Sequence, residues 1–199
     1  MTSNQRNWTV YFAAIAVTAL AAAAFLGAVG VTDENVFITL QLSARIAFVI
    51  LLIVFVARPL QQMFATPFTA KLLRNRRLFG IAFAGVHTAH LGLIMYRARV
   101  NPGFDYLLAE NASGMFTYLV ILAMFVTSFN AVAKKLGARN WRILHKAGLY
   151  FLFAAFTQTQ LPDSLDHLED MNWLLIALIF AALVIRLTAY LARHRNIRE

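Results

Sequence analysis

The sequence predicts an all-α integral membrane protein, a bundle of six transmembrane helices with both termini in the cytoplasm. The 199 residues are 60% hydrophobic and only 14% charged, and their mean hydropathy of +0.65 exceeds what a soluble domain of this size can bury. Apolar stretches of about 20 residues, long enough to cross a bilayer, recur along the chain. Basic residues gather in alternate connecting segments. We therefore treat residues 1–199 as a single transmembrane domain.

The six predicted spans cover residues 8–30, 36–56, 79–96, 115–132, 143–159 and 173–191. The first has an apolar stretch of about 22 residues, longer than the roughly 7 to 15 of a signal-peptide core, so it counts as a span. Glycines inside these helices let neighbouring helices approach closely. The four glycines concerned are Gly80, Gly85, Gly92 and Gly148.

Charge predicts the orientation of the bundle. One set of connecting segments, with both termini, holds 13 basic residues, while the opposite set holds Arg97, Arg99 and nearly all of the acidic residues. The positive-inside rule places the basic end in the cytoplasm. The net charge of +9 is then explained by topology and contact with anionic lipid, and no nucleic-acid partner is expected.

Ionisable residues inside the spans are costly and are therefore functional candidates: Arg45, His87, His90, His145 and Arg186. His90 stands 13 residues beyond Arg77, about 20 Å from the basic end, whereas His145 stands only about 5 Å deep. Two side chains at such different depths should not share one metal, so each would serve a separate metal site. The alternative is that each histidine only forms a hydrogen bond between helices.

Other metal chemistry is excluded by residue type. The chain has no cysteine, so iron–sulfur clusters and thiol catalysis are ruled out. His87 and His90 share one helix face, but a di-iron or zinc enzyme needs added carboxylates or several such pairs, and no Asp or Glu falls inside a span.

Two blocks of sequence resemble the ferric-reductase-like transmembrane haem proteins. The first is RRLFGIAF at residues 76–83, followed by His90 and Tyr96. The second is TSFNA at 127–131, KLG at 135–137, WRILHK at 141–146 and Tyr150. Residues 58–60, RPL, fit as well. The likeness covers about residues 36–160 and is greatest to the haem-binding membrane subunits that serve periplasmic methionine sulfoxide reductases.

The resemblance implies b-type haem, one or two groups, between the third and fifth helices, with His90 and His145 as axial ligands. The family carries a second histidine 13 residues after the one that His145 matches, and here that position is Gln158. The outer site could hold a five-coordinate haem on His90, use His87 or His167 instead, or hold none. The inner site has no evident second ligand. Arg45 and Arg77 are candidate contacts of the haem propionates, and Arg186 is expected to snorkel to the interface.

The expected function is electron transfer across a bacterial inner membrane. No nucleotide-binding glycine motif occurs in these residues, so electrons are expected from a separate cytoplasmic flavoprotein or from membrane quinol, with quinone as a second candidate cofactor. An outer-side protein would accept them. The competing interpretation, motivated by Gln158, is a haem-free accessory subunit of a larger membrane complex.

Overall fold

The computed structural model describes residues 2–104, 112–166 and 172–195. Within these ranges the chain forms seven helices and no strand: α1 (Ser3–Val29), α2 (Asp33–Met63), α3 (Pro67–Val100), α4 (Ala112–Val126), α5 (Asn130–Leu136), α6 (Ala138–Asp166) and α7 (Asn172–Arg195). The all-helical prediction is confirmed for this part of the chain.

The first three helices begin earlier than hydropathy predicts because threonines cap them. The hydroxyl oxygens of Thr2, Thr32 and Thr66 each accept from a backbone N–H in the first helical turn, which satisfies a donor that the helix leaves free. After Thr66, Pro67 stands at the first helical position, where its missing N–H costs nothing. The basic run at residues 71–77 is therefore the first part of α3 and not a connecting segment.

The predicted fourth span, residues 115–132, is wrong at its end. α4 stops at Val126, and α5 leaves it at an angle of 102°. At the break the hydroxyls of Thr127 and Ser128 donate to Ala123 O and Met124 O, and such back-bonding competes with the helical ladder. Trp141 Nε1 of α6 donates to Thr127 O at 2.9 Å, which satisfies a carbonyl that the ended helix no longer uses.

Four of the helices are long and apolar enough to cross a membrane: α1, α2, α3 and the part of α7 from Trp173 to His194. The bent pair α4 and α5 makes a fifth if the two are counted together. The search covers only the described residues, and α6 is not among those that pass. The structure thus supports four or five of the six predicted spans.

The core is built around α2, which contacts α1, α3, α6 and α7. Phe48, Leu51 and Phe55 project from α2 into a cluster completed by side chains of α3, α4, α6 and α7. Phe55 and Phe153 of α6 stack with ring centroids 4.1 Å apart. Many large apolar side chains on α1 and α7 instead point outward and are exposed in the isolated chain, as expected for a surface that lipid covers.

Gly85 allows the closest helix contact. A Cβ atom at this position would lie 2.6 Å from the backbone oxygen of Tyr11 in α1, so only glycine lets α1 and α3 meet here. A Cβ atom at Gly148 would likewise clash with the Met124 side chain, whereas a Cβ atom at Gly80 or Gly92 would have nothing within 4 Å. The predicted role of the helical glycines therefore holds for Gly85 and Gly148 alone.

Asp33 and Glu34, at the start of α2, mark one end of the bundle, which we call the acidic end. At the acidic end Arg97 donates from Nε and Nη2 to the two carboxylate oxygens of Asp33, at 2.8 and 3.0 Å. This bidentate pair ties α3 to the start of α2. The opposite end, which we call the basic end, carries the cations that surround the candidate site.

Candidate functional site

A cavity of about 330 Å³ opens at the basic end between α2, α3, α4, α6 and α7. Buried apolar side chains form part of its wall, among them Leu51, Phe83 and Ile121. Six cationic side chains also line it: Arg58, Arg76, Arg77, Arg142, Lys146 and Arg186. The cavity therefore combines an apolar wall with a concentration of positive charge.

His145 of α6 lies in the wall of this cavity. Its Nε2 atom is 3.0 Å from the hydroxyl of Thr127, and that hydroxyl donates its proton to Ala123 O at 2.6 Å. Because the threonine proton is already used, His145 Nε2–H is the donor, and Nδ1 carries the lone pair in this arrangement. The imidazole also stacks on Trp141, with centroids 4.2 Å apart, which fixes the plane of the ring.

Arg77 and Arg186 are the half-buried cations of the cavity. Arg77 donates from Nη1 to Asn130 Oδ1 at 3.0 Å, and its buried Nε has no partner among the described residues. Arg186 donates to Phe55 O and to Tyr150 Oη, and its guanidinium lies over both aromatic rings. Arg186 therefore points into the bundle, and the expectation that it snorkels to the interface is wrong.

The other two candidate histidines lie together on α3. His90 Nδ1 is 2.7 Å from Ser43 Oγ, and this hydroxyl donates to Leu40 O, so Nδ1–H donates and Nε2 is left with the lone pair. The His87 ring stacks on the Phe83 ring, and the centroids of the His87 and His90 rings are 5.4 Å apart. His87 is buried, and its Nδ1 has no partner in the described part of the chain.

The side of α6 that faces His87 presents Phe156 and not Gln158. The Phe156 and His87 rings are 5.0 Å apart, and Phe156 also contacts Phe48 and Phe83. Gln158 is exposed. The space next to His87 is thus filled by an aromatic ring, and the side chain at the expected ligand position does not enter it.

The two groups of histidines lie at different levels of the bundle. Ser43, beside His90, precedes by eight residues Leu51, the first α2 residue of the His145 cavity, which is about 12 Å along the helix axis. Arg45 is half-buried on α2 and does not line that cavity. His167 lies outside the described residues.

A protein-family model described as "Ferric reductase like transmembrane component" matches residues 43–157, more than half of the chain. The chain belongs to this family. No curated protein and no solved structure matches it. Together with the apolar helices, the match identifies a multi-pass membrane protein whose family suggests a membrane redox role.

In this ferric reductase-like chain, the cavity of His145 is lined by residue types that would hold a haem. It offers an imidazole, an apolar wall and cations suited to carboxylates, including the buried Arg77 Nε that lacks a partner among the described residues. His87 offers no second place for a haem, because the Phe156 ring packs against its imidazole.

Reasoning from the sequence listed Arg186 as a candidate but placed it at the membrane interface and not in the site. This residue lies in α7, beyond the matched range. The available signal was Pro59 inside α2, because proline has no N–H for the carbonyl four residues earlier, that of Phe55.

Proposed function

We propose that this chain transfers electrons in the membrane through a b-type haem held at the basic end of the bundle, with His145 as an axial ligand. The observation that carries the proposal is the position of the imidazole in the wall of an apolar cavity lined by six cations. Haem supplies reversible one-electron chemistry at its iron, which the protein tunes through axial ligation and burial.

The residues of the chain have distinct tasks in this proposal. Trp141 holds the plane of the His145 ring by stacking, and His145, which otherwise donates to Thr127, would be the residue that holds the iron. Arg77 binds a carboxylate of the haem with the guanidinium nitrogen that is otherwise unpaired within the described structure. The apolar wall would limit the access of water to the metal, and this access is one of the factors that set its redox potential.

The partners belong to the same proposal. The basic end faces the cytoplasm of a bacterial inner membrane, where a flavoprotein delivers the electrons, or quinol supplies them from within the membrane. An outer-side protein receives them, and the resemblance to subunits of periplasmic methionine sulfoxide reductases points to a reductase of that type.

A second candidate function is that of a haem-free accessory subunit in a larger membrane complex. The observation that favours it is the Phe156 ring, which packs against His87 at the level where the resemblance to the family places the outer haem. A fold that has lost one haem site can persist because its helices still bury the same core.

The reduced-minus-oxidised visible spectrum of the purified protein separates the two functions. Electron transfer through a haem held by His145 predicts sharp b-type bands that disappear in His145→Ala. The bands should persist in His194→Ala, a matched control at an exposed position near the end of α7. A fully folded protein without these bands would refute haem binding and favour the accessory subunit. Bands that survive His145→Ala and vanish in His90→Ala would place the haem at the other level.

A further inference from the structure

The cavity of His145 carries more positive charge than a haem can neutralise. A haem has two carboxylates, and the cavity is lined by six cations. Arg77 and Arg186 are half-buried, whereas Arg58, Arg76, Arg142 and Lys146 are exposed around the opening. We call these four residues the cationic rim.

Among the residues that the structure describes, no acidic side chain lines the cavity beside the rim. The chain has no Asp or Glu at residues 35–104, 111–162 or 171–198. The ion pair that the described residues form joins Arg97 to Asp33 at the acidic end. Like charges that converge on one cavity beside a low-dielectric interior repel one another unless an anion lies between them.

We propose that the cationic rim binds a phosphate group, in addition to whatever occupies the interior of the cavity. Arginine offers several N–H donors in a planar fork that matches phosphate oxygens, and lysine contributes a point charge. The opening lies at the basic end of the helices, where a phospholipid headgroup would meet it while its acyl chains follow the apolar surface of the bundle. Basic pockets between transmembrane helices bind anionic headgroups in this way. A soluble phosphate compound would satisfy the same donors.

The rim offers this group contacts from three helices. Arg58 belongs to α2, Arg76 to α3, and Arg142 and Lys146 stand i and i+4 on α6, one turn apart on the same face. Their joint presence in one cavity distinguishes them from Lys71 and Arg74, which are exposed on α3 but do not line it. A uniform attraction of basic residues to an anionic membrane would not separate these two groups.

The test compares two double variants of equal charge. Arg142→Gln with Lys146→Gln removes half of the rim, and Lys71→Gln with Arg74→Gln is the matched control. Each purified protein is titrated in neutral detergent with dioleoylphosphatidylglycerol, with dioleoylphosphatidylcholine, and with inorganic phosphate or pyrophosphate. Binding is followed by native mass spectrometry and by the shift in melting temperature. The haem content and the circular dichroism of each variant are recorded in parallel to establish that it is folded.

We expect phosphatidylglycerol to bind the wild type and the control with similar affinity and the rim variant about tenfold or more weakly, since two charge contacts are lost. If pyrophosphate binds with the same dependence on the rim and competes with the lipid, the source of the phosphate is a soluble compound. Equal weakening in both variants would show general surface attraction and overturn the proposal. Absence of phosphate binding to the wild type would overturn it as well, whatever the haem content.

Discussion

Arg186 of α7 donates from Nη1 to the carbonyl oxygen of Phe55 in α2, at 3.0 Å. In a regular helix this carbonyl would accept from the N–H four residues later, but that residue is Pro59, which has none. The guanidinium therefore replaces a missing helical bond inside the bundle, where an unpaired carbonyl is costly. One proline in α2 thus accounts for a half-buried arginine 131 residues away.

This relationship predicts that the cost of removing Arg186 depends on Pro59. Arg186→Met should lower the free energy of unfolding by about 1 to 3 kcal/mol because Phe55 O loses its donor. In a Pro59→Ala background the new N–H can bond to that carbonyl, so the loss should shrink by about 1 kcal/mol. Unfolding in mixed micelles measures both, with Arg193→Met as the control on the exposed face of α7. Equal losses in the two backgrounds would contradict the interpretation.

The close contact of α1 with α3 predicts opposite effects for two glycines of the same helix. Gly85→Ala should destabilise the protein by about 1 to 3 kcal/mol, because its Cβ meets the Tyr11 backbone and backbone cannot yield as a side chain does. Gly92→Ala has open space and should stabilise α3 by about 0.5 to 1 kcal/mol. Melting temperatures in detergent provide the comparison. A Gly85→Ala protein as stable as the wild type would show that α1 shifts freely on α3.

The packing at His87 predicts that substitutions of Phe156 and of Gln158 have very different effects on the stability of the protein. Phe156→Ala should lower the free energy of unfolding by about 3 to 5 kcal/mol because it leaves a cavity where a buried aromatic ring packed. Gln158→Ala should change the free energy of unfolding by no more than about 0.5 kcal/mol, as at most surface positions. The two substitutions lie on the same helix and serve as each other's control. If Gln158→Ala were the more damaging change, its exposed position in the structure would be incorrect.

The hydrogen bond between Thr127 and His145 predicts a competition with the haem. Thr127→Val keeps the shape of the side chain but removes the acceptor of Nε2. The affinity for haem should rise about fivefold, the equivalent of one hydrogen bond of about 1 kcal/mol. Titration of haem into the apoprotein, followed at the Soret band, measures this affinity. Thr18→Val is the control, since Thr18 makes the same bond to a carbonyl one turn earlier but touches no histidine. A decrease in affinity would show that Thr127 orients the imidazole for the metal instead of competing with it.

Some features of the fold could be predicted from the sequence because they depend on local residue chemistry. Long apolar stretches predicted α1, α2, α3 and α7, and the depth of His90 and His145 followed from counting residues along a helix of known rise. The end of α4 was not readable, because residues 115–132 are apolar throughout most of their length. It depends on Thr127 and Ser128 bonding back to the preceding turn and on Trp141 reaching across from α6.

Part of the candidate site could also be predicted from the sequence, and part of it could not. The position of His145 inside a predicted span identified it as a candidate, and the resemblance to the family added Arg77; both line one cavity. The resemblance also directed attention to Gln158, whereas the side chain that packs against His87 is Phe156, two residues earlier. The face that a helical residue presents depends on how the helix is rotated against its neighbours, and that rotation is set by the packing of many side chains at once.

By itself, the sequence determined that this chain crosses a membrane, that it is helical, and that its cations gather at one end, since each of these depends on how residue types partition between lipid and water. The tertiary structure alone decided which cations share a cavity, that Arg186 bonds to Phe55, and that an aromatic ring fills the space beside His87. These are contacts between residues distant in sequence, and they depend on how helices meet across the core.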